Sequence, residues 1–358
     1  MAIYYIYIVY CLILIFLSKV KDSGIGSKKI TFLVGGGLLF LMGLRHKTVG
    51  NDVVRYVERY KDVERFFTLE TKTESGYMIF QKILSSLNIT AQGFIFTVSL
   101  IIVAFFSWFF YKYSKNVGMS FFLHFTIGLF AFTMTGFRQS IAIGLTLLAI
   151  HLAINKKLMW YILIIIIAML FHQSAIVFAP IYIIFQIKKY NFKIIFLIFL
   201  AISLFGIFND FIFSQISSFS FNKYNTQYLN NLEESRTSLI FIIFSFSLPA
   251  ITMFLWFLDD IKIRDLSRID MSFFIMTLIG CAFVLLSSQL SLLSRFSYYF
   301  MTGIIVLIPN TISKLKNRPV ANICSFFLTL ISIAYFIVAN VDGISKIDSY
   351  LFFWEYAY

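Results

Sequence analysis

Long apolar runs separated by short polar links set the pattern of this chain. A membrane-spanning helix needs about 20 predominantly apolar residues. Runs approaching that length occupy positions 2–18, 30–44, 91–111, 119–135, 139–154, 158–171, 174–187, 192–208, 238–258, 271–290, 296–312 and 321–339. The pattern predicts an all-α, polytopic integral membrane protein with about twelve crossings.

The links test that count. Lys19, Lys21, Lys28 and Lys29 fill the first, Lys112 and Lys115 the third, and Lys156 and Lys157 the fifth. Lys188, Lys189 and Lys193 follow, then Lys262, Arg264 and Arg268, and finally Lys314, Lys316 and Arg318. Short loops rich in Lys and Arg stay in the cytoplasm, so these odd-numbered links are placed inside and both termini outside. The run at 3–17 has no basic leader and no small-residue cleavage site, so it is kept as an uncleaved helix.

One run demands arithmetic. Positions 158–187 are apolar throughout, yet lysines flank both ends. The run must therefore enter and return, with limbs of about 14 residues, or about 21 Å of helix. The hydrocarbon core is about 30 Å thick. A turn at His172-Gln173-Ser174 then falls below the outer surface and must face protein or a wet cavity, because bare turns do not face lipid.

Two external links are longer. Positions 45–90 mix acids and bases, and within them 53–67 carries apolar and aromatic residues at helical spacing, which predicts a helix lying at the interface. A second helix is expected at 77–87. Positions 209–237, rich in Ser, Asn and Tyr, read as a lid or binding loop.

Composition agrees with one transmembrane domain over 1–358. Of the 358 residues, 59% are hydrophobic and 13% charged, too few charges for a soluble chain. The formal net charge of +13 is explained by the cytoplasmic links, and no basic stripe suggests nucleic acid. Cys11, Cys281 and Cys324 sit singly in apolar runs and read as core residues. His46, His124 and His151 are scattered, so no metal site and no cofactor is expected. No phosphate-cradling nucleotide loop is present.

Candidate chemistry lies at the helix ends opposite the lysines. Arg45 follows the second run; Gly50-Asn51 is a turn signal, and Asp52 is placed to cap the next helix. Arg45 either snorkels or meets a phosphate, and Asp52 either caps or accepts a proton. Arg55 and Arg59 recur every four residues, which fits a functional face or a solvated one equally well. Arg138, with Gln139 beside it, sits in an external turn where topology asks for no cation; its forked donors suit phosphate oxygens. His172 is a structural hydrogen-bonder or a general base. Arg295, near Tyr298 and Tyr299, is an interfacial anchor or a third anion contact. Asp259-Asp260 reads as a solvated cytoplasmic loop.

The stretch GLRHKTVGNDVVRYVERY at 43–60 resembles the early motif of the EpsG family, in which an Arg precedes a Gly-Thr/Asn-Asp turn and a Tyr-bearing helix. FRQSIAIGLTLLAI at 137–150 and IIIIAMLFHQSAIVFAPIYI at 164–183 are similar to its central Arg-Gln and His-x-Ser segments. That family is grouped with Wzy-type repeat-unit polymerases of bacterial O-antigen and capsule. The resemblance implies a glycosyltransferase joining polyprenyl-diphosphate-linked oligosaccharides at the outer face of the cytoplasmic membrane. Arg45, Arg138 and His172 match motif positions, and Asn51 stands where Thr is frequent; Arg295 matches no clear pattern. On this reading arginines hold the departing diphosphate without a metal, and His172 or Asp52 is the base. Asn51, Tyr56, Gln139 and Arg295 join Arg45 as substrate contacts, with aromatic rings such as Tyr56 stacking on sugar. Membrane lipid surrounds the chain, and a chain-length regulator is a plausible protein partner in such a family. The rivals are a lipid-linked oligosaccharide flippase and an integral membrane O-acyltransferase. Transport would scatter charge through the helix centres, and acyl transfer would need a cytoplasmic donor route.

Overall fold

The computed structural model describes residues 1–19, 26–69, 73–188, 190, 197, 239–261, 266–287, 293–341 and 347–355. Named secondary structure among these is helical. The helices are α1 (Ala2–Lys19), α2 (Ser27–Gly43), α3 (Val53–Lys61), α4 (Val63–Leu69), α5 (Ser75–Ser86), α6 (Ala91–Tyr113), α7 (Val117–Thr126) and α8 (Leu129–Thr135). They continue as α9 (Phe137–Ile154), α10 (Leu158–Phe171), a 3₁₀ turn (Gln173–Phe178), α11 (Ile181–Gln186), α12 (Leu239–Leu258), α13 (Arg268–Leu286), α14 (Ser294–Lys314) and α15 (Arg318–Val341).

Six of these, α6, α9, α12, α13, α14 and α15, are long and apolar enough to cross a membrane. The chain is a polytopic membrane protein. The run at 119–135, expected as one crossing, is broken: α7 and α8 meet at 64° and pass as a seventh span only if taken together. The break falls at Gly128, whose φ of +96° is left-handed and open to glycine at no steric cost. By length and composition the described helices thus give six or seven spans, against the twelve runs read from the sequence; α1, α10 and the Gln173–Gln186 segment are apolar but shorter. The run at 192–208, apart from residue 197, and the loop at 209–237 lie outside the described residues.

Burial grades the bundle from centre to rim. In α14, 83% of the apolar window is buried, but in α15 only 28%, so α14 is an axis and α15 a lipid-facing wall. α13 packs along α14, α10 along α9, and α2 along α6. Phenylalanine fills the interior, with Phe94, Phe106, Phe109, Phe110, Phe121 and Phe122 fully buried. Rings of this size supply large apolar contact in few rotamers.

The 158–187 run folds as a helical hairpin. α10 ends at Phe171, His172 is extended at φ −158° and ψ 116°, and the 3₁₀ turn starts the return. The Tyr161 hydroxyl donates to the Phe178 carbonyl at 2.5 Å and ties the two limbs together. At the turn, Ser174 and Tyr299 share a hydrogen bond of 2.9 Å, which anchors the hairpin to α14.

Positions 53–67, expected as one helix, form two, divided at Asp62 between α3 and α4. In α3, Val53, Tyr56, Val57 and Tyr60 are buried at positions i, i+3, i+4 and i+7, so one stripe of the helix faces the bundle. Two glycines permit the close seating of this segment. Gly50 has φ +104°, and a Cβ there would lie 2.5 Å from the Met134 carbonyl. A Cβ on Gly76, in the first turn of α5, would lie 2.7 Å from Leu170 Cβ and 2.8 Å from its carbonyl oxygen. Only a hydrogen fits between α5 and the last turn of α10.

Gly76→Ala is therefore expected to push α5 away from the hairpin and to destabilise the protein by about 1–3 kcal/mol, the usual range for overpacking. Thermal unfolding of the detergent-solubilised protein checks this; an unchanged Tm would show that the contact yields.

Candidate functional site

The candidate residues gather where helices end on one side of the bundle. Arg138 is the second residue of α9, Arg295 the second of α14, and His172 caps α10. Lysines of the short basic links and their partners hold the other side. Lys314 at the end of α14 pairs with Asp270, and Lys112 at the end of α6 lies 3.4 Å from His151 near the end of α9. Arg268 donates to the Ile154 carbonyl at 3.3 Å, and the Lys316 amide donates to Asp259 at 3.2 Å. This segregation follows from the cost of placing ionised groups in hydrocarbon.

A cavity of about 330 Å³ opens on the arginine side. Seven of the eight residues proposed from sequence line it, namely Asn51, Asp52, Tyr56, Arg138, Gln139, His172 and Arg295; Arg45 is the exception, and Arg55 joins them. Arg59, Phe132 and Tyr298 also belong to the wall. Four arginines face one carboxylate, that of Asp52, around this space.

The residue that organises the wall is Glu74, which the sequence reading missed. It precedes α5, at the N-cap position. Its Oε2 accepts from Arg138 Nη1 at 2.5 Å, and its Oε1 lies 2.8 Å from His172 Nδ1. Oε1 also accepts from the Gln173 amide at 3.4 Å. The side chain is 9% exposed. Burial favours the neutral acid, but the hydrogen bond from His172 and the charge of Arg138 together outweigh it and hold the Glu74 carboxyl at about 2. Nothing in the spacing pointed here: Arg138 and His172 lie 64 and 98 residues further along. The available signal was a carboxylate immediately before a helix start.

Arg138 leans on aromatic support. Its guanidinium carbon is 6.0 Å from the centre of the Tyr56 ring, and Tyr56 stacks on Phe137 at 5.1 Å with planes 9° apart. Burial pushes the Tyr56 phenol up, against the opposing charge of Arg138. Arg138 Nε has no hydrogen-bond partner among the described residues, which leaves a donor beside the cavity. Arg295 is exposed, and its carbonyl accepts from Gln139 Nε2 at 2.6 Å. Gln139, 3% exposed, thereby links α9 to α14 behind the cavity surface.

Two expectations need correction. Arg45 does not line the cavity. It is fully buried one layer beneath, its guanidinium carbon 5.2 Å from the Phe137 ring and its Nη1 against Met134 Sδ. Its Nε and Nη2 lack partners among the described residues, and burial pulls it down to about 10. The cause is local: Gln92 donates to the carbonyls of Gly43 and Arg45 at 2.8 and 3.3 Å, and the 347–355 segment covers the end of α2 through an Arg45–Phe352 bridge. Asp52 holds the N-cap position of α3 but makes no capping bond, because its backbone is helical at φ −98° and ψ −4°; its carboxylate instead lies 3.6 Å from Arg55. Among the described residues no three His, Cys, Asp or Glu side chains group as metal ligands.

A carboxylate depressed below its ordinary 4.5 stabilises the fold fully above that value, and the contribution is lost as pH falls through about 2. The Tm difference between the wild type and Glu74→Gln is expected to be constant above pH 5, roughly, and to shrink on acidification. A difference that grows towards acid would mean that the pair is not ionised.

The whole chain was also compared with known proteins. No curated protein and no solved structure matches it. A sequence model described as the EpsG family does match, over residues 28–358. That match takes in α2, α3 and α5, the hairpin and α14, and with them every residue that lines the cavity. The chain belongs to the EpsG family.

Proposed function

We propose that this protein is a membrane glycosyltransferase that polymerises oligosaccharide repeat units carried on polyprenyl diphosphate. EpsG membership suggests a membrane polysaccharide-polymerase type of function, and the cavity supports the finer reading. The observation that carries it is the charge of the wall: Arg55, Arg59, Arg138 and Arg295 surround a 330 Å³ space with Asp52 as the facing acid. A diphosphate leaving group bears several negative charges. Guanidinium groups gathered in advance around the cavity stabilise that charge as it develops, Arg138 being partly buried and held in place by Glu74.

The acceptor hydroxyl oxygen attacks the anomeric carbon, the bond from that carbon to the diphosphate oxygen breaks, and the diphosphate departs with the electron pair. The hydroxyl proton passes to a base in the wall, His172 or Asp52. Attack opposite the leaving group inverts the anomeric centre. The Phe132 and Tyr298 rings, stacked at 4.2 Å beside the cavity, offer an apolar edge for a sugar face. Lipid-facing surfaces around the bundle suit the polyprenyl tails.

The positive-inside rule puts the lysine side in the cytoplasm and the cavity outside, in the cytoplasmic membrane of a bacterium, with twelve crossings and both termini external. Deposition of repeat units outside the cell requires that side. The flippase alternative fares less well, because the charged groups collect at helix ends rather than along a path through the bundle.

In proteoliposomes supplied with a lipid-linked repeat unit, the wild type is expected to yield a glycan ladder. Arg138→Ala and His172→Ala are each expected to slow it by roughly 100-fold or more. Arg295→Ala, at an exposed contact, should act mainly on KM. Ladders of wild-type length from folded Arg138→Ala and His172→Ala proteins would refute the mechanism.

A further inference from the structure

We infer that Glu74 is a positioning residue that fixes His172 as the base of the reaction, in one tautomer and one orientation. The inference rests on the polymerase reading and names the base that reading left open.

Three observations carry it. Glu74 does not line the cavity, whereas His172 does, so the carboxylate stands behind the imidazole. Both carboxylate oxygens are engaged, Oε2 by Arg138 and Oε1 by His172 Nδ1 and the Gln173 amide. A carboxylate that bonds a guanidinium can only accept, so the Nδ1 facing it must carry the hydrogen. In a neutral imidazole the lone pair is then on Nε2, the nitrogen that a base must present. No hydrogen bond to Nε2 forms among the described residues, and the ring stands in the cavity wall.

Asp52 has no such arrangement. Its carboxylate is 3.6 Å from Arg55, side by side at the first turn of α3, and no hydrogen bond from a second group orients it among the described residues. His172, by contrast, is held by its own backbone as well: its amide donates to Ala168 at 2.9 Å, and its carbonyl accepts from Ala175 at 3.0 Å.

The same carboxylate restrains Arg138. One group therefore sets the spacing between the proton acceptor and the guanidinium that receives the leaving group. The proton of the acceptor hydroxyl moves to Nε2 as the new glycosidic bond forms; the resulting imidazolium keeps its Nδ1–H on Glu74, and the diphosphate leaves towards Arg138. Positive charge on the ring is balanced by a carboxylate already in contact.

The experiment is steady-state polymerisation in proteoliposomes by Glu74→Gln, Glu74→Asp and Glu74→Ala, each shown to be monodisperse and to unfold cooperatively. Glu74→Gln is expected to lower kcat by roughly 10- to 1,000-fold with KM little changed. Acetate added to Glu74→Ala is expected to restore part of kcat, which a purely structural loss would not allow. In a His172→Ala background, Glu74→Gln is expected to add much less than it does alone, because the two act as a unit. Wild-type kcat in Glu74→Gln, or a loss confined to KM, overturns the inference. If Gln does not fold, Glu74→Asp decides: a carboxylate drawn back by one methylene must lose kcat, and an unchanged kcat overturns it. A wild type that makes no ladder sinks the polymerase reading, and this inference with it; a wild-type ladder matched by Glu74→Gln sinks this inference alone.

Discussion

A single carboxylate shared by a guanidinium and an imidazole holds together parts of the chain that membrane topology leaves separate. Arg138 begins a bundle helix, His172 caps a hairpin, and Glu74 belongs to a segment outside both. Removing an ionised acid from water costs several kcal/mol unless partners recover it. Here one oxygen of Glu74 meets Arg138 and the other meets His172, so both sides of the carboxylate are satisfied. The geometry explains why α5 sits where it does, and the missing side chain at Gly76 explains how it sits so close.

The rest of the site follows from what lipid forbids. Charged groups are excluded from helix middles, so chemistry must gather at helix ends, and the short hairpin brings its turn to that level within the protein. Aromatic side chains then fill the space beneath. Arg45 lies over Phe137, Phe137 stacks on Tyr56, and Tyr56 lies beneath Arg138. A buried cation, two rings and a cavity-lining cation form one column, whose lower end is sealed by the 347–355 segment.

Much of this was legible in the sequence because it depended on local pattern. Apolar run length marked the six helices long enough to cross a membrane, and a long apolar run with lysines at both ends called for a turn at His172. Patterns that depend on distant partners were not legible. The break at Gly128 splits a run whose hydropathy is continuous. Glu74 looked like one acid in a mixed-charge stretch, and only folding brings it to Arg138 and His172. The spacing of Arg55 and Arg59 fitted a functional or a solvated face alike, and only the seating of α3, with its apolar stripe inward, brings both to the cavity wall. Arg45 erred the other way: its position at a helix end suggested exposure, but Gln92 and the Arg45–Phe352 bridge enclose it.

The seam between α9 and α14 is held on the cavity side by an amide from one helix bonded to the backbone of the other, Gln139 to the Arg295 carbonyl. That bond uses the main chain of Arg295 and leaves its guanidinium without a hydrogen-bond partner among the described residues. Backbone and side chain at this position are thus separately accountable: a substitution at residue 295 can change what the cavity grips while the helix joint stays closed.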